Sequence, residues 1–267
     1  MPVDLISLLT GDGTITLWGF LIIAVMVFLA GFVDAIAGGG GFLSLPGYLF
    51  AGVPVHAAIA TNKLSSTMGT TVATIKYIRQ GYMVWWLVPS SVVLALAGSA
   101  IGAHLSLAAD ENFIRIFMLA VIPIAAFYVI RTKRMDIQRP EFTQAKTLAI
   151  CGALAFVIGI YDGFYGPGTG TFLMLLLPAL AHLSLGHAAG ITKAINLSTN
   201  VAALAVFLAG DAVIVGLGLC AGLFNIAGNY LGARTFTHDG AKVVRPVILV
   251  VLVLFAVRLI LELVGIM

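Results

Sequence analysis

Two stretches, ATNKLSS at residues 60–66 and GITKAIN at residues 190–196, each place a lysine inside an otherwise apolar segment. Lys193 follows Lys63 by 130 residues, and the same offset aligns the two halves without a gap from residue 42 to residue 130 of the first copy. The chain is therefore an internal duplication, and a lysine within an apolar segment is a feature of both copies.

The composition identifies the class of protein. Of the 267 residues, 61% are hydrophobic and only 9% are charged, which is typical of a polytopic membrane protein and not of a soluble core. A chain of this length has room for about ten membrane segments of roughly 20 residues, with no room for a soluble domain. The sequence thus predicts an all-α polytopic membrane protein.

Each half contains five apolar segments, of which the second is too short for a regular spanning helix. In order they cover residues 17–37, 42–51, 57–80, 83–108 and 113–131, and then 147–163, 171–181, 188–209, 212–235 and 244–264. The first short segment crosses as a half helix continued by extended chain at residues 52–56, or re-enters as a hairpin with the segment before it. Depending on that choice, we expect 8–10 membrane segments in total.

Positive charge sets the expected orientation. Five basic residues lie in the link between the halves, which we therefore place in the cytoplasm: Arg131, Lys133, Arg134, Arg139 and Lys146. Counting crossings from this link places both termini outside. Because each half has an odd number of crossings, the second copy is inverted. The predicted units are the first repeat at 1–130, the basic linker at 131–146 and the second, inverted repeat at 147–267.

Both lysines lie beside a polar stripe. On a helix, Asn62 and Ser66 are one turn apart on the same face, and Thr192 and Asn196 repeat this arrangement in the second half. A lysine inside a membrane costs at least a few kcal/mol, so it needs a partner, a route to the interface or a function. Two lysines that approach the midplane from opposite faces would form an anion site.

Glycine-rich loops precede both short segments. Residues Gly39, Gly40 and Gly41 lie in the first loop, and Gly168, Thr169 and Gly170 lie in the second. Glycine breaks a helix, and the helix that follows directs its N-terminal N–H groups toward the break. We therefore expect these residues to donate backbone N–H groups to the same anion, although close glycine-mediated helix packing is the alternative.

Asp34 and Asp162 both lie inside apolar segments, and they align at an offset of 128 because the loops differ by two residues. Either is a candidate to cap the broken helix, to pair with a lysine or to carry a coupling proton. Two further glycine pairs, Gly98 with Gly102 and Gly228 with Gly232, have the spacing of helix-contact motifs. No catalytic or metal-binding motif is evident, so we expect no enzymatic activity, no cofactor and no metal.

The loop DAIAGGGG at residues 34–41, followed by GVP at 52–54 and AIATNK at 58–63, resembles the sulfite exporter TauE/SafE family of permeases. The resemblance extends over nearly the whole chain and agrees with the duplication. It implies a bacterial or archaeal inner-membrane transporter of small sulfur-containing anions such as sulfite, sulfonates or sulfoacetate.

The predicted function is therefore secondary transport of such an anion by alternating access. An anion-selective channel would use the same lysines and helix ends, and a transporter for another small carboxylate or oxyanion is a further alternative. A membrane-embedded enzyme or accessory factor lacks a catalytic constellation. The expected partners are the anion, membrane lipid and, if transport is coupled, protons; nucleic acid is not expected.

Overall fold

The computed structural model describes residues 15–131 and 142–234, together with six positions between 253 and 264. Within the two continuous ranges every regular element is a helix, as the sequence predicts. In chain order they are α1 (Leu17–Ala37), α2 (Gly41–Phe50), α3 (Val55–Arg79), α4 (Val88–Ala108), α5 (Glu111–Arg131), α6 (Gln144–Phe164), α7 (Thr169–Leu180), α8 (Leu185–Ala209) and α9 (Val215–Gly232). Most of the predicted linker and of the segment at 244–264 lies outside the described residues.

Five of the described helices, α1, α4, α6, α8 and α9, are long and apolar enough to cross a membrane. Helix α3 is just as long, with 25 residues, but many of its polar side chains are buried in the protein interior. The short second segment of each half is confirmed, since α2 has 10 residues and α7 has 12. The chain is thus a polytopic, all-helical membrane protein.

Helix α2 runs back along α1 and forms a helical hairpin with it. Gly40, at its start, lies against Ala30 and Asp34, whereas Ala51, just after its end, lies against Gly19 near the start of α1. The extended continuation considered for residues 52–56 is wrong. Gly52 turns the chain with φ of +88°, and α3 already begins at Val55 because Pro54 supplies a favourable helix start.

Two such hairpins meet at their tips. The first hairpin is α1, residues 38–40 and α2; the second is α6, residues 165–168 and α7. The Thr171 N–H donates to the Gly38 carbonyl at 3.0 Å. A Cβ on Gly38 would lie only 2.4 Å from the Gly170 backbone, so the tips approach this closely only because both residues are glycines.

Glycines also hold the two halves together at matched positions. A Cβ on Gly102 in α4 would lie 2.1 Å from the Ile160 carbonyl in α6, and one on Gly232 in α9 would lie 2.3 Å from the Phe32 carbonyl in α1. The packing role predicted for these glycines is what the structure shows. Each half therefore places its fourth helix against the first helix of the other half.

Helices α3 and α8 contact each other between these two helix pairs. Their lysines, Lys63 and Lys193, are only 2% and 3% exposed. The hairpin tips, α3 and α8 therefore bring the polar residues of both halves into one buried region.

Candidate functional site

A small polar cavity lies where the hairpin tips meet α3 and α8. Its volume is about 30 Å³, enough for roughly two water molecules. Eleven of the residues predicted from sequence line it: Asp34, Gly40, Gly41, Asn62, Lys63, Ser66, Asp162, Gly168, Thr169, Gly170 and Asn196. The remaining lining residues are Ala30, Gly38, Ser44, Thr70, Gly166, Asn200 and Asn225.

Lys63 reaches across from the first half to the second. Its Nζ donates to Asp162 Oδ2 at 2.6 Å and to Asn200 Oδ1 at 3.2 Å. A lysine ammonium has three donors. Since these are the acceptors of Lys63 among the described residues, one N–H is left to serve a molecule in the cavity.

Lys193 makes the matching contact in the opposite direction. Its Nζ donates to Asp34 Oδ2 at 2.9 Å and to the Asp34 backbone carbonyl at 2.5 Å. The bond to the backbone carbonyl ties Lys193 to the end of α1. Lys193 lies outside the cavity wall, so the two lysines are matched in pairing but not in access to the cavity.

The two ion pairs make the charge of this region balance. Lys63 of the first half is neutralised by Asp162 of the second, and Lys193 of the second half by Asp34 of the first. Removing one partner of a buried pair leaves an uncompensated charge and typically costs about 3–5 kcal/mol. An anion can therefore bind Lys63 only if Asp162 moves away from the lysine or loses its negative charge.

Asp162 has a second partner, which Asp34 lacks. The Thr169 hydroxyl lies 2.6 Å from Asp162 Oδ1 and 2.7 Å from the Gly166 carbonyl. Among the described residues, Lys193 is the side chain that donates to Asp34. The repeat mate of Thr169 is Gly39, so the two aspartates sit in chemically different surroundings.

Backbone donors of the short helices border the cavity. Within the described chain, the N–H groups of Gly40, Gly41 and Gly170 make no backbone hydrogen bond. Gly40 is the N-cap of α2, and Gly41 and Gly170 lie in the first turns of α2 and α7, where the helix dipole favours an anion. This part of the cavity has the chemistry expected of an oxyanion site.

Amide side chains cover the other wall. Asn62 and Asn196 were expected from the polar stripes, whereas Asn225 in α9 was not, because its repeat mate is Ala95. Asn225 Oδ1 accepts from Asn229 Nδ2 at 2.6 Å, which leaves its NH₂ group for the cavity. A Cβ on Gly69 would lie 1.8 Å from Asn225 Oδ1, so this amide occupies space that glycine leaves open. In the sequence, Gly69 is the residue that could have indicated this position of Asn225, because its repeat mate, Thr199, carries a side chain and Gly69 does not.

Three predicted residues lie outside the cavity wall: Gly39, Thr192 and Lys193. Thr192 is fully buried, and its hydroxyl has no hydrogen-bond partner among the described residues. Asn62, its repeat mate, does line the cavity. The stripes on α3 and α8 therefore contribute unequally, although their sequences match.

A known family model matches the part of the chain that forms this site. The family model described as Sulfite exporter TauE/SafE matches residues 23–259, which include both lysines, both aspartates and both glycine loops. The chain belongs to the sulfite exporter TauE/SafE family. No solved structure matches it significantly.

Curated relatives of this family member extend over nearly its whole length. A probable membrane transporter protein, ORF9, of Sinorhizobium sp. is 34% identical over 91% of this chain and 92% of its own length. Probable membrane transporter protein YfcA of Escherichia coli is 32% identical over 90% of each chain. A probable membrane transporter protein of Haemophilus influenzae is 31% identical over 84% of this chain and 87% of its own. The protein thus belongs to a family of probable membrane transporters, whose relatives are named as transporters rather than enzymes.

Proposed function

We propose that this protein is a secondary transporter of small sulfur-containing anions, of the sulfite, sulfonate or sulfoacetate type, that works by alternating access. The observation that carries the proposal is the cavity at the hairpin tips, which is lined by Lys63 and by three glycines whose N–H groups make no backbone hydrogen bond among the described residues: Gly40, Gly41 and Gly170. Such donors bind an oxyanion in the absence of bulk water. The family description names sulfite as the exported substrate.

The paired short helices, one in each half, favour a carrier over a channel. A volume of about 30 Å³ is too small for an open aqueous pore, and the tips are in direct backbone contact at Gly38 and Gly170. Entry of an anion therefore requires the tips to separate, first on one side and then on the other. In the proposed arrangement the protein lies in a bacterial or archaeal cytoplasmic membrane with its N-terminus outside and residues 131–146 in the cytoplasm.

Ligand-induced stabilisation of the purified protein tests the substrate class. We expect sulfite, methanesulfonate or sulfoacetate to raise the melting temperature, and acetate to do so less at equal concentration. Sulfate serves as the comparison for the sulfite dianion, which it matches in charge and resembles in size. A protein stabilised by acetate but by none of the sulfur anions would contradict the proposed substrate and favour a carboxylate.

Counterflow in proteoliposomes tests the mechanism. A carrier preloaded with unlabelled sulfite transiently accumulates labelled sulfite against its gradient, whereas a channel only equilibrates it. Lys63→Ala should abolish the signal, since loss of a charged partner costs about 2–5 kcal/mol, or roughly 30-fold or more in affinity. Equilibration without accumulation would identify the anion channel instead.

A further inference from the structure

We infer that Asp162, and not Asp34, is the residue that takes up a coupling proton when the anion binds. This inference rests on the proposed anion transport. The two aspartates are matched in sequence and each pairs with a lysine of the other half. They differ in whether the lysine that they pair with lines the cavity and in whether they have a second hydrogen-bond partner.

Charge balance makes a proton necessary. With the cavity empty, the positive charge of Lys63 is balanced by Asp162 at 2.6 Å, and both side chains are at most 3% exposed. A monoanion that binds the Lys63 ammonium would add a buried negative charge. If Asp162 accepts one proton as the anion arrives, the anion replaces the carboxylate as the counter-ion of Lys63, and the total charge is unchanged.

The hydrogen bonds around Asp162 can accommodate both protonation states. When Asp162 is ionised, the Thr169 hydroxyl at 2.6 Å donates to Oδ1. When Oδ1 carries a proton, it donates to the Thr169 oxygen, and the same hydroxyl donates to the Gly166 carbonyl at 2.7 Å. Neither state leaves a buried donor without an acceptor, so protonation at Oδ1 frees Oδ2 from Lys63 without an unsatisfied group.

Asp34 has no comparable arrangement. Its counter-ion, Lys193, is held by the Asp34 backbone carbonyl at 2.5 Å as well as by the carboxylate, and it does not line the cavity. The positions that match Thr169 at offsets of 130 and 128 are Gly39 and Gly41, neither of which has a hydroxyl. Asp34 therefore keeps its pairing with Lys193 while the anion is exchanged at Lys63.

The charged and titratable groups that surround Asp162 are few in the described part of the chain. Lys63 comes from α3, Asp34 faces it from α1 across the cavity, and Lys193 of α8 pairs with Asp34. Helix α7 has no titratable side chain, and that of α4, His104, is exposed, as is His187 of α8. Near Asp162 in its own hairpin, Tyr161 donates to the Pro167 carbonyl and Tyr165 is buried. In α5, Glu111 and Arg115 pair with each other.

Proton uptake on binding is the direct test. Methanesulfonate is the probe, because it stays a monoanion between pH 5 and 8 and every proton taken up belongs to the protein. Calorimetric titration in two buffers of different ionisation enthalpy gives the protons bound per anion. We expect about one proton per anion for the native protein, and an affinity that falls about tenfold per pH unit on the alkaline side.

Variants of the two aspartates and of Thr169 assign the proton to its residue. Asp162→Asn should bind methanesulfonate with no proton uptake and an affinity independent of pH, whereas Asp34→Asn should retain the proton uptake. Thr169→Val should move the pH dependence of binding to higher pH, because the ionised carboxylate loses a stronger hydrogen bond than the protonated one. Thr169→Ser should restore the native pH dependence. Thr71→Val is the control, because it removes a hydroxyl bonded to the Thr67 carbonyl outside the cavity, and it should not change the pH dependence.

The outcomes separate this inference from the proposed function. Methanesulfonate binding by the native protein without proton uptake would overturn the coupling role and leave anion transport intact. Proton uptake that persists in Asp162→Asn but disappears in Asp34→Asn would assign the proton to the other pair. If Asp162→Asn does not fold, an unchanged pH dependence in Thr169→Val overturns the inference. Absence of methanesulfonate binding at every pH, with acetate bound instead, would contradict the proposed substrate itself.

Discussion

Lys63 Nζ and Asp162 Oδ2 lie 2.6 Å apart although 99 positions separate the two residues in the chain. The pair joins α3 of the first half to the second hairpin, and its counterpart, Lys193 with Asp34, joins α8 to the first hairpin. The halves are therefore connected by charge in both directions. Any movement that opens the cavity at Lys63 acts on a contact between the two halves.

Breaking this ion pair should destabilise the protein more than removing it entirely. Lys63→Met and Asp162→Leu each leave a buried charge without a partner and should cost about 3–5 kcal/mol of unfolding free energy. The double variant should recover most of that loss yet fail to bind anion, because the donor to the anion is gone. Thermal unfolding in detergent measures the first effect and ligand-induced stabilisation the second. Anion binding by the double variant would exclude Lys63 from the site.

The glycine contacts between the halves should not tolerate a methyl group. A Cβ on Gly102 would lie 2.1 Å from the Ile160 carbonyl, so Gly102→Ala must push α4 away from α6, at a cost of about 1–3 kcal/mol. We expect a clear fall in melting temperature. Ile101→Ala is the matched control, since Ile101 is 45% exposed on the same helix. Equal melting temperatures for the two variants would contradict this close packing.

Separating the hairpin tips should make the cavity accessible. Gly170→Ala places a Cβ 2.5 Å from the Gly38 carbonyl, and a clash of about 1–3 kcal/mol corresponds to roughly 5- to 150-fold in the population of separated tips. In a background that lacks Cys151 and Cys220, Ser44→Cys places a thiol in the cavity wall. Its reaction with a small cationic thiol reagent should be faster with Gly170→Ala than without it. Leu180→Ala, at the far end of α7, should not change the rate.

Asn225 should contribute to anion affinity through its NH₂ group. Asn225→Ala removes one hydrogen bond to a charged ligand and should weaken binding by about 1.5–3 kcal/mol, or roughly 10- to 100-fold. Gly69→Ala should have a similar effect although it keeps the Asn225 amide in the sequence, because its Cβ would displace Asn225 Oδ1 from its position. Calorimetric titration with sulfite measures both. Full affinity in Gly69→Ala would show that Asn225 does not act from its present position.

The inverted arrangement can be tested by labelling from each side of the membrane. In the same cysteine-free background, single cysteines at Gln138 and Asp211 should react from opposite sides, with Gln138 in the cytoplasm. The expectation follows from the basic residues of the linker and from the odd number of crossings in each half. Labelling of both positions from one side would contradict the inverted topology.

The sequence by itself determined the class of fold and the family. Its composition requires backbone hydrogen bonds to be satisfied within each segment in lipid, which leaves helices as the structure of long apolar segments. The short segments were predicted at 42–51 and 171–181 and are observed as Gly41–Phe50 and Thr169–Leu180. The helix starts were less accurate: the segment predicted from residue 83 begins at Val88, where Pro89 fits the first turn.

Tertiary structure decided which polar residues meet. A repeat alignment shows that Lys63 matches Lys193, but it does not show that each pairs with the aspartate of the other half, because that depends on how α3 and α8 pack against the opposite hairpin. The alignment also suggested equal roles for both lysines, whereas the packing brings Lys63 to the cavity and leaves Lys193 behind it. Asn225 has no matched mate and entered the cavity only because Gly69, on another helix, leaves room for it. Local sequence fixes the elements, while contacts between distant residues arise only when these elements are packed together.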